Sequence, residues 1–265
     1  AVRGGGEQAS GTIHRLASCG FKVVVLETAH PSTVRRQVAF STAVTDPSGL
    51  VVVEGITGQR CGCSLAECEG VWESGRVAVV VDPDMNLNAE LRPHVIVDGI
   101  IAKVNLGLSA SMAPLVIALG PGFTAPTDCH VVVETNRGHY LGQCIREGQA
   151  SPDTGVPGTI NGVTRDRVLY SEGPGVARIN TEIGALVKAG DTILTVGDKP
   201  VITKIDGCVR GLIEDGFNVP KGHFKVGDVD PRGDLAAVDI ISDKARAVSG
   251  AVLEAVVAAW AQFKD

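Results

Sequence analysis

The chain has 265 residues, 44% of them apolar, with a formal net charge of −6. That length and apolar content allow one large domain or two smaller ones, each with its own core. The acidic balance and scattered basic residues exclude the basic stripe of a nucleic-acid surface, and no run reaches the roughly 18 consecutive apolar residues of a membrane span.

Aromatic residues make up only 4% of the chain. A core of Val, Ala, Leu and Gly suits α/β layers with small side chains in contact. The opening AVRGGG lacks the apolar region of a secretory signal. Seven cysteines, odd in number and irregularly spaced, read as reduced thiols rather than a disulfide framework. The expectation is a soluble cytoplasmic protein with neither nucleic-acid nor membrane partners; a homo-oligomer is left open.

In chain order, VRGGGEQASGTIHRLASCGFKVVVLET reads as strand, glycine loop, helix and strand. Ile13 and Leu16 give the helix an apolar face, Gly20 fits its stop, and residues 22–26 are rich in β-branched side chains. Pro31 predicts a helix over 31–38 and a strand follows at 51–56. Residues 64–73 predict a helix with Ser64 as N-cap and Glu67 completing a capping box. VAVVVDPD, HVIVDGIIA, PLVIALGPG and DCHVVVET are short, nearly continuous apolar runs, as in strands covered on both faces. Strands alternating with helices imply a mainly parallel sheet with right-handed crossovers.

The texture changes after about Pro157. From 168 to 229 short strands alternate with Gly and Asp turns, which predicts an all-β module. Within it, IGALVKAGDTIL and IDGCVRGLIEDGFNV look like two copies of a strand–turn–strand unit, a quasi-repeat that resembles the barrel-sandwich hybrid of lipoyl and biotinyl carrier domains. A carrier needs an exposed hairpin lysine flanked as in MKM. Here the turn reads GDKP, with Lys199 but no flanking methionines, so carrier function is not expected. SDKARAVSGAVLEAVVAAWAQF then reads as one helix capped by Ser242 or Asp243, with Val248, Val252, Leu253, Val256, Val257 and Trp260 along one stripe. The expected architecture is a Rossmann-like α/β domain over 1–165, an inserted β module over 166–230, and a segment over 231–265 whose helix packs back on the first domain.

Four motifs carry chemistry. GGGEQA, with Gly4, Gly5 and Gly6, follows a strand residue and opens a helix, where backbone N–H groups attract a pyrophosphate. Glu27 ends the next strand about 20 residues on, where a ribose-hydroxyl acceptor is expected. A tight turn without nucleotide fits the same residues, and the charge of Glu7 in the loop counts against a dinucleotide. CGCSLAEC brings Cys61, Cys63 and Cys68 together, but no fourth Cys or His lies nearby to complete a metal set. GDVDPRGD carries Asp228, Asp230 and Asp234, a weak candidate cation site; an ion-paired turn around Arg232 is the preferred reading.

The fourth motif is LGPGFTAPTDCHVVVETNRGH. Gly120, Pro121, Gly122 and Phe123 lie at the carboxyl end of a buried strand, where glycines let amides converge on an anion and Phe123 lines the floor. The next strand ends at Glu134, Asn136, Arg137 and His139. Arg137 can clamp a phosphate or carboxylate, and His139 can move a proton near neutrality. The competing reading pairs Arg137 with Glu134. Cys129 and His130 point to opposite faces of a strand and form no dyad.

VRGGGEQASG, DGIIAKVNLG, PLVIALGPGFTAPTDCHVVVETNRGHYLG, PDTGVPG, VGDVDPRGD and ISDKARAVSGAVLEAV together resemble the selenium-dependent molybdenum hydroxylase system proteins of the YqeB type, over almost the full length. The resemblance implies a cytoplasmic accessory protein acting with selenium- and molybdenum-containing hydroxylases, such as xanthine dehydrogenases and purine hydroxylases, or with their maturation machinery. Its motifs emphasise Arg3 to Gly6, Asp98, Lys103, Asn105, Gly120 to Phe123, Glu134, Arg137, His139, Asp230 and Arg232, without assigning them catalytic roles. Two departures stand out: the family loop GGGDLATG is GGGEQASG here, and the cysteine cluster is not a family motif.

The expectation is a maturation factor that binds a nucleotide or a nucleotide-bearing molybdopterin cofactor. Arg3, Gly4, Gly5, Gly6, Glu27, Asn105, Gly120, Pro121, Gly122, Phe123, Glu134 and Arg137 are the candidate binding residues, with His139 or Lys103 available for proton transfer. Whether the chain turns over a substrate is left open. The alternatives are a ligand-free scaffold docking the hydroxylase or a selenium-transfer partner, and an NAD-dependent oxidoreductase resting only on the first loop and Glu27.

Overall fold

The computed structural model describes residues 1–263. The chain forms two compact units: one from Ala1–Pro31, Val38–Thr154 and the segment from Ile241 onward, the other from Ser32–Gln37 and Gly155–Ile240.

In the first unit the strands are β1 (Val2–Arg3), β2 (Val24–Glu27), β3 (Leu50–Val53), β4 (Ile56–Arg60), β5 (Val77–Val81), β6 (Val95–Asp98), β7 (Leu115–Leu119), β8 (Thr124–Ala125), β9 (Val131–Val133), β10 (Cys144–Ile145) and β11 (Gly148–Gln149). Nine of them make one sheet in the order β10-β9-β7-β6-β1-β2-β5-β4-β3, and β8 pairs with β11. Six parallel neighbours, β5-β2-β1-β6-β7-β9, follow the doubly wound 3-2-1-4-5-6 order. β4 extends the parallel set, while β3 and β10 close the edges antiparallel.

Strand alternation divides the apolar runs between two faces. Val25, Val79, Val97, Ile117 and Val131 join one core, with Ile13 of α1 (Glu7–Ser18) and Ala43 of α2 (Thr42–Thr45). Their neighbours Val24, Leu26, Ala78 and Val80 point the other way, onto Cys68 and Val71 of α3 (Leu65–Glu73) and Leu87 just before α4 (Asn88–Leu91). Farther along that second face, Ile96, Val116, Ala118 and Val132 are covered by Leu108, Phe123 and Cys129. Each fully buried Val or Ile contributes about 1.5–3 kcal/mol, so strands buried on both faces carry most of the stability.

Ser64 caps α3 by accepting the N–H of Glu67, as the capping-box spacing predicts. Ser242 likewise caps α5 (Asp243–Ala259) through the N–H of Ala245. α5 lies against α1 because Gly11 leaves room: a Cβ there would sit 2.8 Å from the Ala245 carbonyl oxygen. Val248, Val252 and Val256 bury the α5 stripe in the same core as Ile13, whereas Val257 and Trp260 are exposed.

The helix expected over 31–38 does not form; residues 32–35 are irregular and one 3-10 turn covers Arg36–Val38. This stretch is claimed by the second unit. Val34 enters that unit's core, buried Arg35 donates to the carbonyls of Val238 and Ile240, and Arg36 donates to Leu212. Those tertiary contacts override the local helical pattern.

The second unit holds β12 (Val168–Tyr170), β13 (Gly175–Ile179), β14 (Leu186–Val187), β15 (Thr192–Val196), β16 (Lys199–Ile202), β17 (Gly207–Leu212), β18 (Asn218–Val219) and β19 (Lys225–Asp230). They form two four-stranded antiparallel sheets, β12-β19-β17-β14 and β16-β15-β13-β18. Each copy of the quasi-repeat passes from the first sheet to the second, β14 to β15 and β17 to β18. Lys199 stands exposed at the start of β16.

Asp228 is buried here with its carboxylate shared between Arg167, at 2.6 Å, and Arg210. Asp230 pairs with Arg232 at 2.6 Å, and Asp234 instead caps a 3-10 turn through the N–H of Ala236. Guanidinium groups therefore stand where the weak cation reading of Asp228, Asp230 and Asp234 required a metal, and the ion-paired turn is the observed arrangement. Burial works to raise the Asp228 carboxyl, but Lys225, Arg210 and Arg167 hold it below the usual range.

Candidate functional site

The carboxyl ends of β1, β6, β7 and β9 flank the point where strand order reverses, the place at which open α/β sheets hold ligands. The glycine loop leaves β1 there. Gly4 has φ +85°, and a Cβ on it would lie 2.7 Å from Ile100 Cγ2, while one on Gly5 would lie 2.7 Å from the Ser41 nitrogen. These glycines admit close packing by their own chain. The Gly5 N–H donates to Glu27 Oε2 at 2.7 Å, and the Thr28 N–H donates to Oε1 at 2.8 Å.

Two expectations are corrected by that geometry. Glu27, only 7% exposed, is committed to the loop rather than free for ribose hydroxyls. The Gly5 amide expected to meet a pyrophosphate is already satisfied by the protein's own carboxylate, which spares the buried N–H the cost of being left unpaired. The Gly4 N–H is likewise taken, by the Leu26 carbonyl.

Several other sequence candidates also serve the frame. Arg3 pairs with buried Asp98 at 3.2 Å and donates to the Leu106 carbonyl, fixing β1 to the loop after β6; burial pushes the Asp98 carboxyl up, against the pull of Arg3. Asn105 clamps its turn by exchanging hydrogen bonds with Leu108. Gly120 donates its N–H to Val133. Gly122 is backed by the chain at 103–104, a Cβ there lying 2.5 Å from the Lys103 carbonyl carbon. Phe123 is buried in the core, and Pro121 is half-buried beside it. Gly120 to Phe123 thus form a packing turn that seats the 100–104 loop, with the Gly120 amide taken by Val133.

The charged side chains define what remains. Glu134 is buried and accepts the N–H groups of Asn136 and Ser151, each at 2.7 Å. Burial works to raise its carboxyl, but those amides more than offset it and hold it below the usual range. Arg137 does not pair with Glu134; it forms a bidentate ion pair with Asp243, the first residue of α5, at 2.6 and 3.0 Å. Lys103 pairs with Asp153 at 2.7 Å. His139 is exposed in the turn between β9 and β10. Cys129 is buried with its thiol pushed up to about 11 by burial, and His130 turns away to accept the Val116 N–H.

Lys244, which the sequence motifs do not single out, completes the cluster. It follows Asp243 in the first turn of α5 and is half-buried. Burial and then neighbouring Arg137 lower its ammonium pKa, against the opposing pull of Glu7, Glu134 and Asp153. Among the described residues no hydrogen bond or ion pair reaches it. Glu7 opens α1, so Lys244 lies near the start of that helix, where N–H groups lack intrahelical partners. The arrangement gathers Lys103, Arg137 and Lys244 among four carboxylates, and it can bind and orient an anionic group. Among the described residues, no group of three His, Cys, Asp or Glu side chains is placed to hold a metal.

These features define a doubly wound α/β unit with a cluster of charged side chains beyond the carboxyl ends of its parallel strands, joined in one chain to an antiparallel β unit. No known family model matches the chain. It is 50% identical over 256 residues to the uncharacterized protein YqeB of Escherichia coli K12, a match covering 97% of this chain and 47% of YqeB. The chain is similar to that curated relative and spans about half its length.

Solved structures overlap it only in part. A Mesorhizobium loti aspartoacylase family protein is 15% identical, covering 24% of this chain and 22% of its own, at a TM-score of 0.23. The product-bound ectoine utilization protein EutE of Ruegeria pomeroyi is 23% identical, covering 32% and 27%, also at 0.23.

Proposed function

We propose that the chain is an accessory protein of a selenium-dependent molybdenum hydroxylase, and that its first unit holds an anionic, nucleotide-bearing ligand at the switch-point cleft. The maturation role is supported by the motif resemblance over nearly the whole sequence. The ligand reading is carried by one observation: Lys244 is partly desolvated beside Arg137 without a direct partner. An anion placed there relieves the repulsion between the two cations and replaces the water lost on burial.

A molybdopterin dinucleotide or free nucleotide fits this corner through its phosphate, with Lys244 and Arg137 as charged donors and the start of α1 alongside. It does not fit through a pyrophosphate on Gly4 and Gly5, whose N–H groups are taken by Leu26 and Glu27. The same bond removes the main support for an NAD-dependent oxidoreductase. When bound, a molybdopterin cofactor supplies the molybdenum-holding chemistry of the hydroxylase. This chain's residues hold and orient the ligand; proton transfer falls to His139, the exposed ionisable group at the rim, because Lys103 is paired with Asp153.

The second unit is read as a barrel-sandwich hybrid, on the two repeats that each cross between its sheets. It serves to dock the hydroxylase rather than to carry an acyl group, since Lys199 lacks the flanking methionines of a carrier hairpin. Calorimetry of dialysed protein with CTP, NAD and molybdopterin cytosine dinucleotide tests the ligand reading. Binding of CTP or the molybdopterin dinucleotide is expected; silence from all three, with nothing co-purifying by mass spectrometry, would overturn it.

A further inference from the structure

The seam between α1 and α5 is polar along part of its length. Gly11, His14, Arg15 and Ser18 stand at i, i+3, i+4 and i+7 of α1 and so share one stripe of the helix. A stripe that faces another helix is usually apolar. Gly11 admits the Ala245 carbonyl, and beside that contact lies a cavity of about 260 Å³. His14, Arg15 and Ser18 line it from α1, Arg246 and Ser249 from α5. The lining holds two guanidinium groups and no carboxylate.

Much of the donor capacity of those groups is unused. Arg15 crosses the seam, Nε donating to Ser249 Oγ at 2.8 Å and Nη2 to the Arg246 carbonyl at 3.2 Å. Among the described residues no carboxylate reaches Arg15, and its Nη1 makes no hydrogen bond. Arg246 gives Nη2 to both oxygens of Glu54, at 2.6 and 2.8 Å, while its Nε and Nη1 have no partner among the described residues. Glu54 also accepts the Ile241 N–H at 2.7 Å and stands outside the lining. His14 turns Nε2 to the Glu54 carbonyl at 3.3 Å.

From this geometry we infer that the α1–α5 seam binds a phosphate group, as the free ion or at the end of a small phosphomonoester. Guanidinium edges pair with phosphate oxygens through charge-assisted N–H bonds. Arg15 approaches from α1 and Arg246 from α5, so one oxyanion bridges the two helices, with the Ser18 hydroxyl as a further donor. The cavity is larger than a bare phosphate and leaves room for a short organic tail beside Cys19 and Ile241. The carboxyl end of a helix disfavours anions. Here the carbonyls of Arg15, Leu16 and Ala17 are turned onto the N–H groups of Cys19, Gly20 and Phe21, which blunts that field. This site is separate from the one at Lys244: residues 244 and 246 stand about 200° apart around α5, so their side chains leave opposite sides of the helix.

Cys19 is exposed and lines the cavity, so its thiol reports occupancy. The intact chain is treated with iodoacetamide in the presence of inorganic phosphate, glycerol 3-phosphate, glycerol, or sodium chloride at matched ionic strength. Mass spectrometry follows alkylation peptide by peptide, with exposed Cys63 as internal control. Phosphate or its ester should slow alkylation of Cys19 and leave Cys63 unchanged, whereas glycerol and chloride should do neither. The lower of the two half-protection concentrations assigns the free ion or the monoester. Arg15→Gln removes the charge but keeps a side-chain N–H, and should raise the half-protection concentration about tenfold or more. Lys244→Met should keep the protection. Protection by neither phosphate, or equal protection by chloride, would overturn the inference on wild-type protein alone. So would protection that survives Arg15→Gln, or that is lost in folded Lys244→Met, which would place the phosphate at the other site.

Discussion

The Glu27 carboxylate, at the end of β2, accepts the N–H of Gly5 across 2.7 Å and that of Thr28 across 2.8 Å. A residue placed where a dinucleotide fold keeps its ribose ligand is instead the internal anion of the glycine loop. Each buried donor left unpaired costs about 1–3 kcal/mol, so Glu27→Ala should destabilise the first unit by about 2–5 kcal/mol in urea unfolding. Glu27→Gln, which keeps one acceptor oxygen, should fall between. An unchanged midpoint for Glu27→Ala, with a large loss of NAD affinity, would restore the ribose role.

Arg137 and Asp243 make a bidentate pair, but their side chains are 40% and 74% exposed. Such a pair contributes only about 0–1 kcal/mol. Arg137→Ala should therefore leave thermal unfolding nearly unmoved while weakening ligand binding. A large stability loss would make Arg137 a structural clasp for α5 rather than a ligand residue.

Lys244 gives a pH signature. Its folded-state pKa lies below the ordinary 10.5, from burial first and Arg137 second. The unfolded chain therefore binds the extra proton between those two values, and stability rises with pH across that window. Below it, the charged lysine disfavours the folded state. The difference in urea midpoint between wild type and Lys244→Met should shrink as pH rises toward 10.5, with the variant the more stable at neutral pH. A bound anion should push the lysine pKa back up and flatten the trend.

In the second unit Asp228 is shared by Arg167 and Arg210 in a buried setting. Asp228→Asn leaves two guanidinium groups without their countercharge and should cost about 3–5 kcal/mol. The Asp228 carboxyl is held below its ordinary 3.8, so its contribution is present above that pH and is lost as pH falls below it. Circular dichroism through an acid titration should show wild type losing this margin and Asp228→Asn lacking it. Asp234→Ala, which removes only a cap from a 3-10 turn, should be mild by comparison.

Much of the frame was legible because it rests on local rules. The continuous apolar runs gave buried strands such as Leu115–Leu119, the Ser64–Glu67 spacing gave a capping box, and Ser242 was visible as an N-cap. Residues 31–38 were misread because Val34, Arg35 and Arg36 answer to partners nearly 200 residues away. The glycine motifs were visible, but which amides they leave open depends on Glu27, Ile100 and the Lys103 backbone, contacts that spacing does not encode. Lys244 was missed for a related reason: in sequence it is an ordinary lysine in the first turn of an amphipathic helix, and only the packing of α5 against α1, β9 and β10 brings it among Glu7, Glu134 and Arg137.

The central claim is that Lys244 and Arg137 hold an anionic, nucleotide-bearing ligand. Calorimetry with CTP and with molybdopterin cytosine dinucleotide, at low salt, on wild type, Lys244→Met and Arg137→Ala tests it most directly. A charge-assisted hydrogen bond contributes about 1.5–3 kcal/mol, so each substitution should weaken binding by about tenfold or more while the protein stays folded. Equal affinity in all three proteins, or no binding in wild type, would contradict the account.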